Sequence, residues 1–172
     1  MELEEAIRTR RTHKQFDPEP LDHSEIEALV DLARWAPNHR LTNPWRFRVL
    51  GPGSRARLEA AADELQPGGS FKLRRAPTML LVTTVASGDQ HQDDEDRLAT
   101  AAAIYGLLLG AHARGLAGFW NTPGVLSSPA GRQALRLLEA ERPVGLLHLG
   151  RPNHAPVARD RAPLDQVVSY LD

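Results

Sequence analysis

The chain has 172 residues, of which 41% are hydrophobic and 25% are charged, and its formal net charge is −1. This length and composition predict one globular domain with a substantial core, and the near-zero charge predicts no general attraction to nucleic acid or membranes. The absence of cysteine excludes disulfides, thiolate metal ligands and cysteine nucleophiles. The N-terminal sequence does not resemble a signal peptide, so we expect a cytoplasmic location.

The first predicted helix leads into a strongly basic segment. Leu3, Ala6 and Ile7 share one helical face. Residues 8–14 then contain five basic or titratable side chains with Thr12 among them: Arg8, Arg10, Arg11, His13 and Lys14. Arginine offers planar pairs of N–H donors that match phosphate oxygens. The segment therefore predicts either an anion-binding cradle or a solvated basic surface.

The second predicted helix begins after Asp22, which forms a capping box with Glu25. It should end near residues 35–36, because a proline follows. The polar loop after it contains His39, and we expect this loop to face a ligand. A metal is not expected there, because no second ligand lies at a suitable spacing. Large apolar residues alternate with arginines at residues 45–49 and predict a strand.

Several motifs in this first third resemble those of the nitroreductase family. They are Arg-Arg-Thr at residues 10–12, Phe-Asp-Pro at 16–18, Ala-Pro-Asn-His at 36–39 and Asn-Pro-Trp-Arg-Phe at 43–47. The chain is similar in length to the small members of that family. The resemblance implies that one group of residues contacts FMN: Arg10, Arg11, Thr12 and Lys14. It further implies that Trp35 and His39 reach the flavin bound by the other subunit.

The middle of the chain is predicted to contain a turn at residues 52–54, a helix at 54–65 and a strand at 76–85. The strand should be buried on both faces, because it is a continuous apolar and β-branched run. The acidic segment at residues 87–95 is predicted to be a loop that acts as a charged cap for the next helix. Its carboxylate spacing matches no metal-binding loop.

Residues 96–115 form the longest apolar segment and predict a helix that ends at a glycine cap. Apolar residues occupy all sides of this helix, so it must be covered by its own domain, by a partner chain or by both. The segment is shorter than the about 20 apolar residues that a membrane span needs. We therefore expect a helix in the centre of a packed layer near a dimer interface, and the resemblance implies the same position.

The last third is predicted to contain a connecting segment at residues 119–124, a helix through residue 138 and a buried strand at 143–150. The resemblance implies that Asn121, Thr122 and Pro123 contact the flavin. It also implies that Arg159 and Arg161, in the sequence Arg-Asp-Arg-Ala-Pro, hold the FMN phosphate. Surface arginines balanced by aspartates are the alternative interpretation of that tail.

Taken over nearly the whole chain, the resemblance implies an α+β fold with a central mixed β-sheet flanked by helices, in an intertwined homodimer with FMN at the interface. It implies an FMN-dependent NAD(P)H oxidoreductase that reduces nitroaromatics, quinones or similar small electron-poor acceptors by ping-pong hydride transfer through flavin N5. No catalytic side chain is expected, because the cofactor carries the chemistry. Two alternatives stay open: a flavin-binding carrier or regulatory relative without reductase turnover, and a protein without flavin.

Overall fold

The computed structural model describes residues 1–158 and 160–171. In these ranges four strands form one sheet in the order β1-β2-β4-β3. They are β1 (Trp45–Val49), β2 (Thr78–Val85), β3 (Ala117–Asn121) and β4 (Glu141–Gly150). The α-helices of the same ranges are α1 (Leu3–Thr9), α2 (His23–Ala33), α3 (Pro52–Leu65), α4 (Gln90–Ala113) and α5 (Pro129–Ala134). The structure confirms the predicted α+β class.

All neighbouring strands of the sheet run antiparallel. Within the described residues, the parallel pairing expected of a mixed sheet is confined to an isolated bridge between Thr12 and Gly118. Residue patterns predict that a segment is a strand, but they do not encode the direction of its neighbour. The mixed sheet implied by the resemblance is therefore antiparallel in its four described strands, a feature that local patterns could not predict.

Helices cover both faces of the sheet. Helices α2 and α4 pack against the face that carries Leu80 and Leu147, whereas α3 and α5 pack against the face that carries Leu81 and Leu146. Because successive side chains of a strand point to opposite faces, both sets of residues in β2 and β4 are buried. This arrangement confirms the prediction that β2 is buried on both faces.

Side chains cap the N-terminal ends of α2 and α4. The predicted capping box of α2 is present, and Glu25 Oε2 accepts a hydrogen bond from the backbone N–H of Asp22 at 2.8 Å. Helix α4 begins at Gln90, because Asp89 accepts a hydrogen bond from the backbone N–H of Gln92 at 2.9 Å. The prediction of a loop at residues 87–95 was therefore wrong for most of that segment.

Other elements also differ from the predicted ones. Pro52 opens α3, where its missing N–H costs nothing, so the turn predicted there was wrong. The connecting segment at residues 119–124 begins with strand residues of β3. Helix α5 ends at Ala134, short of the predicted residue 138, and Arg136 has a left-handed φ of 52°. The predicted glycine cap of α4 is confirmed by Gly115, with φ of 74°.

Helix α4 is only partly covered in the single chain. Its inner side is buried, and a Cβ at Gly110 would lie 2.5 Å from Leu32 Cδ1, so glycine lets α2 approach closely. On its outer side Leu98 is 72% exposed and Tyr105 is 41% exposed, with Ala102 exposed between them. No helix in the described ranges is both long enough and apolar enough to cross a membrane.

Candidate cofactor site

Backbone hydrogen bonds fix the basic segment after α1 against the edge of the sheet. The N–H of His13 donates to the carbonyl oxygen of Gly118 at 3.2 Å, beside the bridge between Thr12 and Gly118. Farther along, the N–H of Asp17 donates to the carbonyl oxygen of Arg151 at 2.9 Å. The segment therefore lies extended between β3 and the loop that follows β4.

This packing creates a cleft of about 530 Å³, which we call the basic cleft. Its described lining comes from the segment after α1, from β3 and from the chain after β4: Arg10, Arg11, Thr12, Lys14, Phe119, His154, Pro156, Val157 and Arg161. The structure thus brings together the predicted N-terminal residues and Arg161, which lie near opposite ends of the chain. Arg159, the other predicted phosphate ligand, lies outside the described residues.

The donors of the basic cleft fit a phosphate ester. Arg11 Nη1 donates to the carbonyl oxygens of Arg8 at 2.6 Å and Arg10 at 2.9 Å, which orients its guanidinium group. The buried Arg11 Nε has no hydrogen-bond partner within the part of the chain that the structure describes. A buried donor left unpaired is costly, and a phosphate oxygen is a matching acceptor. Phe119 adds an apolar surface beside these donors.

A second, smaller cavity of about 290 Å³ lies at the end of β3, and we call it the β3-end cavity. Asn121 and Pro123 line it, together with the end of α3 and the turn at Gly69–Arg75. Since Phe119 and Asn121 are two residues apart on one strand, they share a face of the sheet. The two cavities are therefore neighbours along β3, and each receives one of these side chains.

Two functional candidates in the β3-end cavity were missed by the sequence reasoning. Phe71 and Lys72 line the cavity, and Phe71 is exposed. An aromatic residue beside a lysine just after a glycine-rich connection was the available signal. Thr122, by contrast, is exposed and does not occur in the described lining of either cavity.

Trp35 and His39 lie on the loop after α2, outside the described linings of both cavities. Trp35 is 77% exposed, and the guanidinium carbon of Arg34 lies 5.5 Å from its ring centroid. His39 Nδ1 lies 2.7 Å from Glu95 Oε2 at the start of α4, and this contact lowers the pKa of the Glu95 carboxyl group. Neither residue therefore lines the basic cleft or the β3-end cavity of its own chain.

A buried histidine lies behind Phe119. His148 is fully buried in β4, and its ring centroid lies 5.4 Å from that of Phe119. Burial lowers the pKa of His148 to about 4, and the positive charges of Arg75 and Arg55 act in the same direction. The imidazole is therefore neutral at physiological pH. The local pattern predicted only a buried strand here, although a histidine inside the apolar strand sequence was a visible signal.

The described residues contain no group of three or more histidine or acidic side chains arranged to hold a metal ion. The basic cleft instead contains cationic donors beside the aromatic ring of Phe119. The neighbouring β3-end cavity contains the exposed Phe71. The described site therefore offers donors for an anion beside apolar and aromatic surface.

Comparison with known proteins identifies the family. The family model described as "Nitroreductase family" matches residues 7–151, which is most of the chain. The chain therefore belongs to the nitroreductase family. This result confirms the resemblance that was based on the motifs at residues 10–12, 16–18 and 36–39.

Individual relatives support the same assignment. The chain is 29% identical to "Putative NAD(P)H nitroreductase YfhC" of Bacillus subtilis (strain 168), over 94% of this chain and 90% of that protein. The crystal structure of a nitroreductase-like family protein from Bacillus cereus matches with a TM-score of 0.90 and 27% identity, covering 100% of this chain and 97% of the other. The fold is also shared with the FMN- and NADPH-dependent nitroreductase NfnB from Sphigopyxis sp. strain HMH, with a TM-score of 0.85, 15% identity and 100% coverage of both chains.

Proposed function

We propose that this protein is an FMN-dependent NAD(P)H oxidoreductase that reduces nitroaromatics, quinones or similar small electron-poor acceptors. The observation that carries the proposal is the convergence of Arg10, Lys14 and Arg161 on one cleft beside Phe119. Membership of the nitroreductase family supports the reaction class. The FMN and NADPH dependence in the name of NfnB, which shares the fold, supports the choice of cofactor and donor.

The residues of the basic cleft would hold the phosphate end of FMN. Arg10, Arg11 and Arg161 offer charged donors, and Thr12 adds a hydroxyl group. Charge-assisted hydrogen bonds of this kind are stronger than neutral ones and suit a dianionic phosphate. The described lining of the cleft contains no carboxylate.

The β3-end cavity would take the ring end of the cofactor and its substrates. Phe71 provides an aromatic surface, whereas Asn121 and Lys72 provide polar groups for the edge of a ring. When bound, FMN supplies the capacity to accept a hydride from NAD(P)H and to pass reducing equivalents to the acceptor. The protein residues bind and orient these molecules, and Lys14 holds a positive charge in the adjoining cleft.

We also propose that the protein is a homodimer with FMN at the subunit interface. Leu98, Ala102 and Tyr105 are spaced so that they form one exposed apolar stripe on α4. In the C-terminal tail Val167, which is 67% exposed, and Tyr170, which is 95% exposed, lie open to solvent. A second copy of the chain would cover these surfaces, and it would place a partner's Trp35 and His39 where they could reach a flavin.

Steady-state turnover tests the proposed reaction. The purified protein, supplied with FMN, is assayed without oxygen for oxidation of NADH or NADPH with a quinone and then with a nitroaromatic acceptor. We expect oxidation of at least one nucleotide that depends on the acceptor. Bound FMN without any turnover would favour a flavin carrier or regulatory protein instead. Failure to bind FMN would contradict the cofactor assignment itself.

A further inference from the structure

A third cavity, of about 610 Å³, lies directly behind the basic cleft, and we call it the histidine cavity. The two cavities share Arg11, His154 and Pro156 as a common wall. The described lining of the histidine cavity includes two further histidines, His13 and His112. A cluster of titratable groups is thus separated from the candidate phosphate site by a single layer of side chains.

The three histidines reach this cavity from separate parts of the fold. His13 follows α1, His112 lies in the last turn of α4, and His154 lies in the loop after β4. The rings of His13 and His154 meet edge to face, with centroids 5.8 Å apart. His112 Nε2 lies 2.8 Å from the hydroxyl oxygen of Thr9. The cluster therefore joins α1, α4 and the segment that forms one wall of the basic cleft.

His13 has an unused hydrogen-bonding atom. Its side chain is buried, with a residue exposure of 8%, and its Nδ1 has no hydrogen-bond partner among the described residues. A neutral imidazole with an unpaired nitrogen can gain a proton when the local charge becomes more negative. His13 is thus the most buried of the three histidines of this cluster, and it has an unpaired nitrogen.

The charges around the cluster are mostly positive. Burial lowers the pKa of His13, and His154, His112 and Arg10 add to this effect. Burial also lowers the pKa of His112, with Arg10 and Arg11 acting in the same direction, whereas the carboxylate of Glu5 acts in the opposite direction. Without a bound anion, both imidazoles are therefore predominantly neutral at neutral pH.

A phosphate dianion in the basic cleft would reverse this balance. Its negative charge would offset the charges of Arg10 and Arg11, and it would favour the protonated form of the nearby imidazoles. Proton binding and phosphate binding would then strengthen each other, as thermodynamic linkage requires.

We propose that His13 and His112 take up protons from solvent when the FMN phosphate enters the basic cleft, so that FMN binds more tightly as the pH falls from about 8 to about 6.5. This inference rests on the proposed function, because it assumes that the basic cleft holds the FMN phosphate. The chosen pH range matters because a phosphate monoester begins to lose its second charge near pH of about 6.

The test compares FMN with riboflavin, which has the same ring but no phosphate. Dissociation constants of both are measured by flavin fluorescence with the cofactor-free protein at pH of about 8 and about 6.5, at one ionic strength. If FMN binding raises the pKa of one imidazole into this range, the FMN dissociation constant should fall about threefold on acidification. The riboflavin constant should change little. Calorimetry in two buffers of different ionisation enthalpy should show proton uptake with FMN.

The double variant His13→Gln and His112→Gln should no longer take up protons when FMN binds. Its FMN affinity should also no longer increase at the lower pH. The matched control is His23→Gln, which removes an exposed histidine from α2. Circular dichroism checks folding, and the single variant His112→Gln serves as a second test if the double variant does not fold. In that single variant, the increase in FMN affinity at the lower pH should be smaller than in the wild type.

Two results would overturn the inference while leaving the proposed cofactor intact. One is an FMN affinity of the wild-type protein that is equal at both pH values. The other is a pH dependence in the histidine variants that equals that of the wild type. Failure of the wild-type protein to bind FMN at either pH would instead overturn the proposed function, and this inference with it.

Discussion

The imidazole of His148 lies 5.4 Å from the ring of Phe119, and both of its buried nitrogens are without a hydrogen-bond partner in the described structure. Phe119 in turn lines the basic cleft. Phe119, which forms part of the wall of the candidate cofactor site, therefore packs against a histidine whose buried surroundings favour the neutral imidazole. This relationship couples the stability of the fold around the site to pH.

Acidification should destabilise the protein through His148. Its pKa is lowered from 6.5 to about 4, so the unfolded state binds more protons than the folded state between these values. The free energy of unfolding should therefore fall as the pH decreases from about 7 to about 4, by up to about 3 kcal/mol from this residue. The measurement is denaturant unfolding at a series of pH values.

His148→Leu should remove this component of the pH dependence, whereas the exposed-site control His23→Gln should leave it unchanged. The leucine variant should also be at least as stable as the wild type near pH of about 6, because it removes two buried, unpaired nitrogens. An identical pH profile for His148→Leu and the wild type would show that His148 does not carry the effect.

Removing a cationic donor from the basic cleft should weaken FMN binding. Arg161→Gln and Arg10→Gln should each raise the FMN dissociation constant by about 10- to 100-fold, since a hydrogen bond to a charged group contributes about 1.5–3 kcal/mol. Riboflavin binding should change less, because it lacks the phosphate. Arg74→Gln is the matched control, because Arg74 pairs with Glu59 at 2.9 Å on another surface. Equal losses for FMN and riboflavin would argue against a phosphate site here.

Lys14 should raise the reduction potential of the bound flavin. Lys14 lines the basic cleft, which adjoins the proposed ring site, and a positive charge there stabilises the electrons that are added on reduction. Lys14→Met should therefore lower the two-electron potential by about 30–60 mV, which corresponds to about 1.4–2.8 kcal/mol. Equilibration with a reference dye measures this shift. If Lys72→Met lowers the reduction potential and Lys14→Met does not, the lysine of the β3-end cavity raises the potential instead of Lys14.

A charge in the apolar stripe of α4 should break the proposed dimer. Tyr105→Glu and Leu98→Glu place a carboxylate on the surface that a second copy would cover, and burying an unpaired charge is costly. Sedimentation should show a dimer for the wild type and monomers for both variants. Leu138→Glu is the control, because Leu138 is equally open, at 66% exposed, but lies after α5. A monomeric wild type would contradict the proposed assembly.

Local signals in the sequence predicted much of the fold. The alternation at residues 45–49 and the apolar run at 76–85 predicted β1 and β2, and the capping residues Asp22 and Gly115 marked helix ends correctly. Strand β3 was missed, because it is short and is held mainly by its pairing with β4, which is distant in sequence. The early start of α4 was missed because Asp89 was not recognised as its cap.

The candidate site likewise contains residues that the sequence predicted and residues that it did not predict. Arg10, Arg11, Thr12 and Lys14 are neighbours in sequence, so the basic segment was visible directly. The contributions of Phe119 and His154 to the same cleft arise only from folding, since β3 and the loop after β4 must first pack against that segment. Contacts between distant segments carry no local pattern, and for this reason they escaped the sequence reasoning.

The most direct test of the proposed function is the absorbance spectrum of the purified protein before and after the anaerobic addition of NADH and then NADPH. We expect the visible bands of bound FMN, and we expect at least one nucleotide to bleach them. Bands that persist after both additions would contradict hydride transfer from NAD(P)H. A colourless protein that takes up no added FMN would contradict the cofactor site at Arg10, Arg11 and Arg161.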